Sequence, residues 1–144
     1  MDSDETVRMF VNGQAMKGGP LHDAVAAATF LGRVATAARY RFFSVRDEFP
    51  GLFPVPQDGY SVPGELYEVS YTRLREELLP REPEELELAV IELADGRGSL
   101  SMRMRESALD MPDVTDISEA GGWERHLASR PATRAQAPGS ASAP

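Results

Sequence analysis

A glycine-bounded loop directly after a short strand is the feature that most constrains how this chain folds. Residues 7–11 alternate in side-chain character as a β-strand does, and Asn12-Gly13 then turns the chain abruptly. A second break at residues 18–20 leads into an alanine-rich segment, where Pro20 and a stop at Gly32 predict a short helix over residues 20–31. Backbone N–H groups converge in such a loop and can hold an anion. The alternative is a plain strand-to-helix connection.

Length and composition limit the function classes. The chain has 144 residues, of which 42% are apolar, and this predicts one globular domain over residues 7–130 between a flexible leader (1–6) and a disordered tail (131–144). A net charge of −8 argues against nucleic acid as a partner. The absence of cysteine, of a signal peptide and of a long apolar stretch favours a cytoplasmic protein without membrane contact. Two separated histidines, without metal-ligand spacing, predict neither a metal site nor a cofactor.

The remaining elements alternate irregularly. Strands are predicted in residues 33–45, with a break near Ala37-Ala38, and in 60–70, 89–93 and 100–106; helices in 72–79 and from Thr115 or Ser118 onward; and a proline-rich loop in 49–59. No strand–helix–strand alternation is visible, so a parallel doubly wound sheet is not expected. The prediction is an α+β fold: a small mixed or antiparallel β-barrel with short flanking helices.

Two groups of charged residues, four arginines and one acidic run, each allow a structural and a functional interpretation. Four arginines, at positions 33, 39, 41 and 46, form either a solvated strand face or a positive field for a carboxylate or phosphate-like ligand. The acidic run of residues 82–87 is a solvated face, or it supplies a general acid/base at Glu82. Glu65 and Glu68 point to opposite faces of one strand, so one of them can face inward, where an arginine such as Arg41 would have to pair with it.

Several motifs, in order, resemble the γ-glutamylcyclotransferase-like fold, and within it the C-terminal domain of allophanate hydrolase. The motifs are Phe10-Val-Asn-Gly-Gln-Ala-Met-Lys-Gly18, Tyr40-Arg41, Pro50-Gly51-Leu52, Gly64-Glu-Leu-Tyr-Glu-Val69, Gly18-Gly-Pro-Leu-His22, Glu92-Leu-Ala-Asp-Gly96, and Asp116-Ile-Ser-Glu-Ala-Gly-Gly-Trp123 with Leu127-Ala128. The resemblance covers residues 7 to 129. It implies a small β-barrel with a pocket formed by the loop after the first strand and by the strands around Tyr40 and Tyr67.

The resemblance also implies a chemistry. γ-Glutamylcyclotransferases use a glutamate to drive attack of a free amine on a side-chain carbonyl, and Glu82 in Leu78-Leu-Pro-Arg-Glu82 partly matches that motif, with Leu79 where the family has aspartate. Asn12 also stands where γ-glutamylcyclotransferases have the tyrosine of a Tyr-Gly pair in this loop. The allophanate hydrolase domain lacks this glutamate and is associated with decarboxylation of an amidase product. Catalytic candidates are therefore Glu82 and Glu65; the predicted substrate-binding residues are Asn12, Gly13, Gln14, Ala15, Met16, Tyr40, Arg41 and Tyr67.

Two functions remain open at this point. The first is a cofactor-free enzyme that acts on a small carboxylate or amide by carboxylate acid/base catalysis. The second is a non-catalytic binding or accessory module associated with an amidase. The position of a carboxylate beside the loop of residues 11–19 discriminates between them.

Overall fold

The computed structural model of the protein describes residues 5–130. The predicted leader and tail therefore lie largely outside the described residues. Eight strands are present in the described part of the chain: β1 Thr6–Val11, β2 Thr29–Ala35, β3 Tyr40–Val45, β4 Phe49–Pro54, β5 Pro63–Ser70, β6 Leu86–Glu92, β7 Gly98–Met104 and β8 Val114–Asp116. They form one mixed sheet in the order β2-β5-β1-β7-β4-β3-β8, and β6 pairs with β7 beside this path.

Helical structure is short throughout. The helix α1 (Tyr71–Arg73) continues as a π-helical turn (Leu74–Leu78) and a 3-10 turn (Leu79–Arg81), and α2 spans Trp123–Ser129. Further 3-10 turns cover His22–Ala24, Glu106–Ala108 and Ser118–Ala120. The mixed sheet curls into a half-barrel with these short helices around it, which confirms the predicted α+β fold. Among the described residues, no helix has the length and apolar character needed to cross a membrane.

The first strand lies in the interior of the sheet, between β5 and β7. β1 pairs antiparallel with β5 and parallel with β7. Met9, Phe10 and Val11 are all buried, because both faces of this central strand are covered. Gly64 of β5 makes this packing possible, since a Cβ there would lie 2.6 Å from Cζ of Phe10. The loop after β1 therefore starts from the hydrophobic core.

The predicted helix over residues 20–31 is wrong. Only His22–Ala24 form a 3-10 turn, and β2 begins at Thr29 and pairs antiparallel with β5. Gly32 does not end a helix but lies at a register shift in this ladder, with a φ of 131°. The alanine-rich segment has little side-chain volume to bury as a helix, and the edge of β5 provides partners for residues 29–35 instead.

The predicted loop over residues 49–59 is wrong in its first half. Phe49–Pro54 form β4, which pairs antiparallel with β3 along its whole length. Pro50 and Pro54 are tolerated because the ladder on the other side of β4, toward β7, is confined to the pair Leu52 and Arg103. The final helix also begins later than predicted, at Trp123, because residues 114–116 pair with β3.

Candidate functional site

The loop that leaves β1 folds back on itself. The N–H of Met16 donates to the carbonyl of Gly13 at 3.1 Å, and the N–H of Leu21 donates to the carbonyl of Gln14 at 2.9 Å. Gly13 lies directly against the ring of Pro50, and this contact leaves no room for a side chain, since a Cβ at Gly13 would overlap the ring. Among the described residues, no acceptor is found for the N–H groups of Gly13, Gln14 and Ala15. The loop thus keeps donors that the protein itself does not use.

A small cavity of ≈ 30 Å³, room for water-sized groups, lies beside this loop and is partly open to solvent. Its lining is mostly apolar and comes from β1, the loop, β4, β6, β7 and the segment after α1. The lining residues are Met9, Phe10, Val11, Asn12, Gly13, Gln14, Ala15, Leu21, Phe49, Pro50, Glu82, Leu86, Ser101 and Met102.

Glu82 supplies the carboxylate of this cavity. It follows the 3-10 turn Leu79–Arg81, and its N–H donates to the carbonyl of Leu79 at 3.1 Å, which fixes the backbone at the point where Pro80 and Pro83 prevent a longer helix. Burial raises the pKa of Glu82 from 4.5 to about 7. Its carboxylate forms no hydrogen bond or ion pair with any residue in the range 5–130. A carboxyl group of this kind can accept and return a proton near neutral pH.

Asn12 places an unused donor in the same cavity. Its side chain is 7% exposed, and its Nδ2 has no hydrogen-bond partner in the part of the chain that the structure describes. Buried polar groups in proteins are almost always paired, so an unpaired amide that lines a cavity marks a place for a ligand acceptor.

Glu65 lies in a different environment. It is 1% exposed, and its carboxylate accepts the N–H of Lys17 at 3.0 Å, the hydroxyl of Tyr67 at 2.9 Å and a guanidinium N–H of Arg33 at 3.3 Å. The prediction that Arg41 pairs with Glu65 is wrong. Arg33 of the adjacent strand β2 forms this ion pair, and Arg41 binds Asp116 instead. Glu65 does not line the cavity; it attaches the loop to the sheet. Burial and the neighbouring Glu65 raise the pKa of Tyr67 well above its ordinary value.

Of the two interpretations of the four arginines, the positive field for an anionic ligand is opposed by the structure, because each guanidinium group is paired with at least one carboxylate. Arg33 binds Glu65 and Glu124; Arg39 binds Glu92; Arg41 binds Asp116; and Arg46 binds Glu48, Glu85 and Asp113. The pKa of Arg41 is raised by its hydrogen bond to Asp116. None of these guanidinium groups lines the cavity. Groups of three or more metal-ligating side chains are not found among residues 5–130.

The structure brings together five of the predicted site residues: Asn12, Gly13, Gln14, Ala15 and Glu82. Met16 lines a separate cavity with Trp123, and the hydroxyl of Tyr40 accepts the N–H of Glu92 at 2.8 Å. Arg41, Tyr67 and Glu65 also lie outside the cavity with Glu82. The sequence did not predict the apolar lining of the cavity with Glu82, which includes Phe49, Pro50 and Leu86. These residues come from strands whose pairing is set by the tertiary fold.

Solved structures share this architecture. A γ-glutamyl cyclotransferase is similar at a TM-score of 0.50 and 14% identity, over 70% of this chain and 68% of that chain. A uropathogenic E. coli-specific protein is similar at a TM-score of 0.79 and 28% identity, over 87% of this chain and 98% of that one. The allophanate hydrolase of Kluyveromyces lactis reaches a TM-score of 0.80 at 27% identity, over 86% of this chain but 21% of that chain. A comparison with curated proteins finds no significant match.

These similarities define the class of protein as one with the γ-glutamylcyclotransferase-like fold. The model of the allophanate hydrolase C-terminal domain family matches residues 7–128, and the chain belongs to that family. In the K. lactis enzyme, the segment similar to this chain is a part of a much longer polypeptide.

Proposed function

We propose that this protein is an enzyme that acts on a small carboxylate- or amide-bearing substrate, with Glu82 as the general acid/base. The observation that carries the proposal is that Glu82, whose pKa is about 7, lines the same cavity as the loop of residues 12–15. Efficient proton transfer requires a group whose pKa lies near the working pH, and burial gives this glutamate such a pKa.

The loop supplies electrostatic stabilisation. The N–H groups of Gly13, Gln14 and Ala15 have no protein acceptor among residues 5–130 and suit a carboxylate or a developing oxyanion. The side-chain amide of Asn12 suits the oxygen of the carbonyl group whose carbon is attacked by the amine. Glu82 then accepts a proton from the attacking amine and returns it to the departing nitrogen, so that one group serves both half-steps.

Other side chains have supporting roles in this scheme. Glu65 acts as a positioning residue, because its hydrogen bond to Lys17 fixes the end of the loop. Ser101 is not the nucleophile, because its hydroxyl donates to the carbonyl of Phe10 at 2.9 Å and is buried. The nucleophile in the reaction that we propose is the amine of the substrate.

The test is an assay for 5-oxoproline release from γ-glutamyl amides, comparing the native protein with Glu82→Gln. We expect kcat/KM to rise with pH through an apparent pKa near 7, because the ionised carboxylate is the base. The variant should lose at least about a hundredfold in kcat, which is the usual contribution of general acid/base catalysis. Turnover that survives Glu82→Gln would remove this residue from the mechanism. Inactivity of the native protein on both amides and carbamates would favour the accessory module associated with an amidase.

A further inference from the structure

The strand β6 forms one edge of the described sheet, because β7 is the one strand that pairs with it there. Just before their ladder, the carbonyl of Glu85 accepts the N–H of Arg105 at 2.8 Å. Just after it, the N–H of Leu93 donates to the carbonyl of Arg97 at 2.8 Å. Backbone groups alternate in direction along an antiparallel strand. The odd-numbered residues of β6 therefore bond β7, and the even-numbered residues direct their backbone groups to the opposite side.

The protein itself occupies both ends of this opposite side. The N–H of Glu92 donates to the hydroxyl of Tyr40 at 2.8 Å, and its carbonyl accepts the N–H of Ala37 at 2.9 Å. At the other end of β6, the N–H of Leu86 donates to the carbonyl of Pro83 at 3.1 Å.

Between these ends, the outward N–H and carbonyl groups of Leu88 and Val90 have no partner among residues 5–130. Their side chains are exposed as well, Leu88 by 39% and Val90 by 74%. On β7, the half-buried Leu100 lies opposite Val90 and the half-buried Met102 lies opposite Leu88. This part of β6 thus combines free backbone groups with an apolar strip.

The other edges of the described sheet are protected against pairing in ways that are common in proteins. β8 has three residues, whereas β2 is interrupted by a register shift at Gly32 and carries Arg33. The ladder of β6 has no register shift, and Leu88 and Val90 place neither a charge nor a proline at the free positions. The edge of β6 is therefore open to another strand.

We propose that this edge pairs with β6 of a second copy of the chain, so that the two sheets join across a two-fold axis at Ala89. In this antiparallel register, Leu88 lies opposite Val90 of the second copy, and Val90 lies opposite its Leu88. Each of these two pairs exchanges two backbone hydrogen bonds. The apolar strips of the two copies then lie side by side and cover each other.

The groups already bonded within the chain select this register. A register centred on Val90 would place Leu88 opposite Glu92, whose N–H and carbonyl are in use. A register centred on Leu88 would place Val90 opposite Leu86, whose N–H is also in use. The register centred on Ala89 is the one that pairs all the free groups.

The charges are compatible with the same register. Glu87 lies opposite Ile91 of the second copy, and Glu92 lies opposite its Leu86, so no two carboxylates face each other directly. The carboxylate of Glu87 is also paired with Arg103 at 2.9 Å. A second copy of β6 therefore satisfies the free backbone groups without bringing like charges together.

Sedimentation velocity across roughly a hundredfold dilution measures the association. We expect dimers of the native protein at the highest concentration. Val90→Lys should weaken the dimer at least about tenfold, because it places a charge in the apolar strip. Met111→Lys is the matched control, since Met111 is 38% exposed and lies outside β6, and it should leave the association unchanged. Circular dichroism checks that both variants are folded.

The absence of cysteine from the chain permits a test of the register. Ala89→Cys would place two thiols across the axis in a non-hydrogen-bonded pair, whose Cα atoms are about 4.5 Å apart, a distance that a disulfide can span. Oxidised glutathione should therefore link Ala89→Cys into a covalent dimer. Val90→Cys places its thiol opposite Leu88 instead, and it should remain without the link.

A native protein that stays monomeric throughout the dilution series would overturn the proposal, and so would a dimer that Val90→Lys leaves intact. Equal cross-linking of the two cysteine variants would contradict the register. Slow hydrogen exchange at the N–H groups of Leu88 and Val90 in a monomer would assign the edge to another segment of the same chain rather than to a second copy.

Discussion

The buried carboxylate of Glu65 accepts the backbone N–H of Lys17 at 3.0 Å, although the two residues are 48 positions apart. This hydrogen bond joins the loop after β1 to the strand β5. The hydroxyl of Tyr67 and the guanidinium of Arg33 also donate hydrogen bonds to this carboxylate. Glu65 thus holds the loop that forms one wall of the cavity, and the free energy of unfolding should depend on it.

Glu65→Ala should lower the free energy of unfolding by about 3 kcal/mol, because it leaves the N–H of Lys17 and the hydroxyl of Tyr67 without their acceptor. Tyr67→Phe removes one neutral donor and should cost about 1 kcal/mol. Urea denaturation monitored by circular dichroism measures both. A Glu65→Ala variant as stable as the native protein would show that the loop does not depend on this hydrogen bond.

The pKa of Glu82 makes stability depend on pH. Its folded-state pKa of about 7 exceeds the ordinary value of 4.5, so the folded state binds the proton more tightly than the unfolded state does. The stability associated with this group is therefore complete below pH 4.5 and is lost as the pH rises to about 7. The loss amounts to about 3 kcal/mol if the whole shift is realised.

Glu82→Gln should abolish this component, so the variant should gain stability relative to the native protein as the pH is raised from 5 to 8. Thermal or urea unfolding at the two pH values gives the comparison. The neighbouring Glu84 is exposed, and Glu84→Gln should follow the native pH dependence. Parallel pH profiles for native protein and Glu82→Gln would mean that Glu82 is fully solvated.

Gly13 controls the fit of the loop against β4. A side chain at Gly13 would approach Cγ of Pro50 to 2.6 Å, so Gly13→Ala should displace the loop or β4, both of which line the cavity. We expect kcat/KM in the 5-oxoproline assay to fall at least about tenfold. Gly98→Ala is the control, because the nearest atom to its Cβ would be 3.7 Å away. Equal kcat/KM values for the two variants would show that the contact of Gly13 with Pro50 does not shape the site.

Sequence reasoning identified the elements whose signals are local. The strand beginning near residue 7, the turn at Asn12-Gly13, the strand that contains Gly64 and the hairpin at Asp95-Gly96 all follow from alternation and turn chemistry, and the structure contains them. The close approach allowed by Gly64 is also confirmed. The α+β class, predicted as a small β-barrel with short helices, followed from the irregular order of the elements and from the resemblance of the motifs.

The errors occur where pairing with distant residues decides the outcome. Residues 29–35 and Phe49–Pro54 are strands because β5 and β3 lie beside them, and no local pattern reports such neighbours. The charges show the same limit. The sequence could not show that burial raises the pKa of Glu82, or that Arg41 is already bound to Asp116.

The most direct measurement is the titration of the Glu82 side-chain carboxyl by ¹³C NMR, with Glu82→Gln used to assign the signal. A pKa of about 7 is expected, because burial disfavours the ionised carboxylate and no cation lies in the described lining of the cavity. A pKa near the ordinary 4.5 would place the carboxylate in solvent and contradict the proton transfer that we propose.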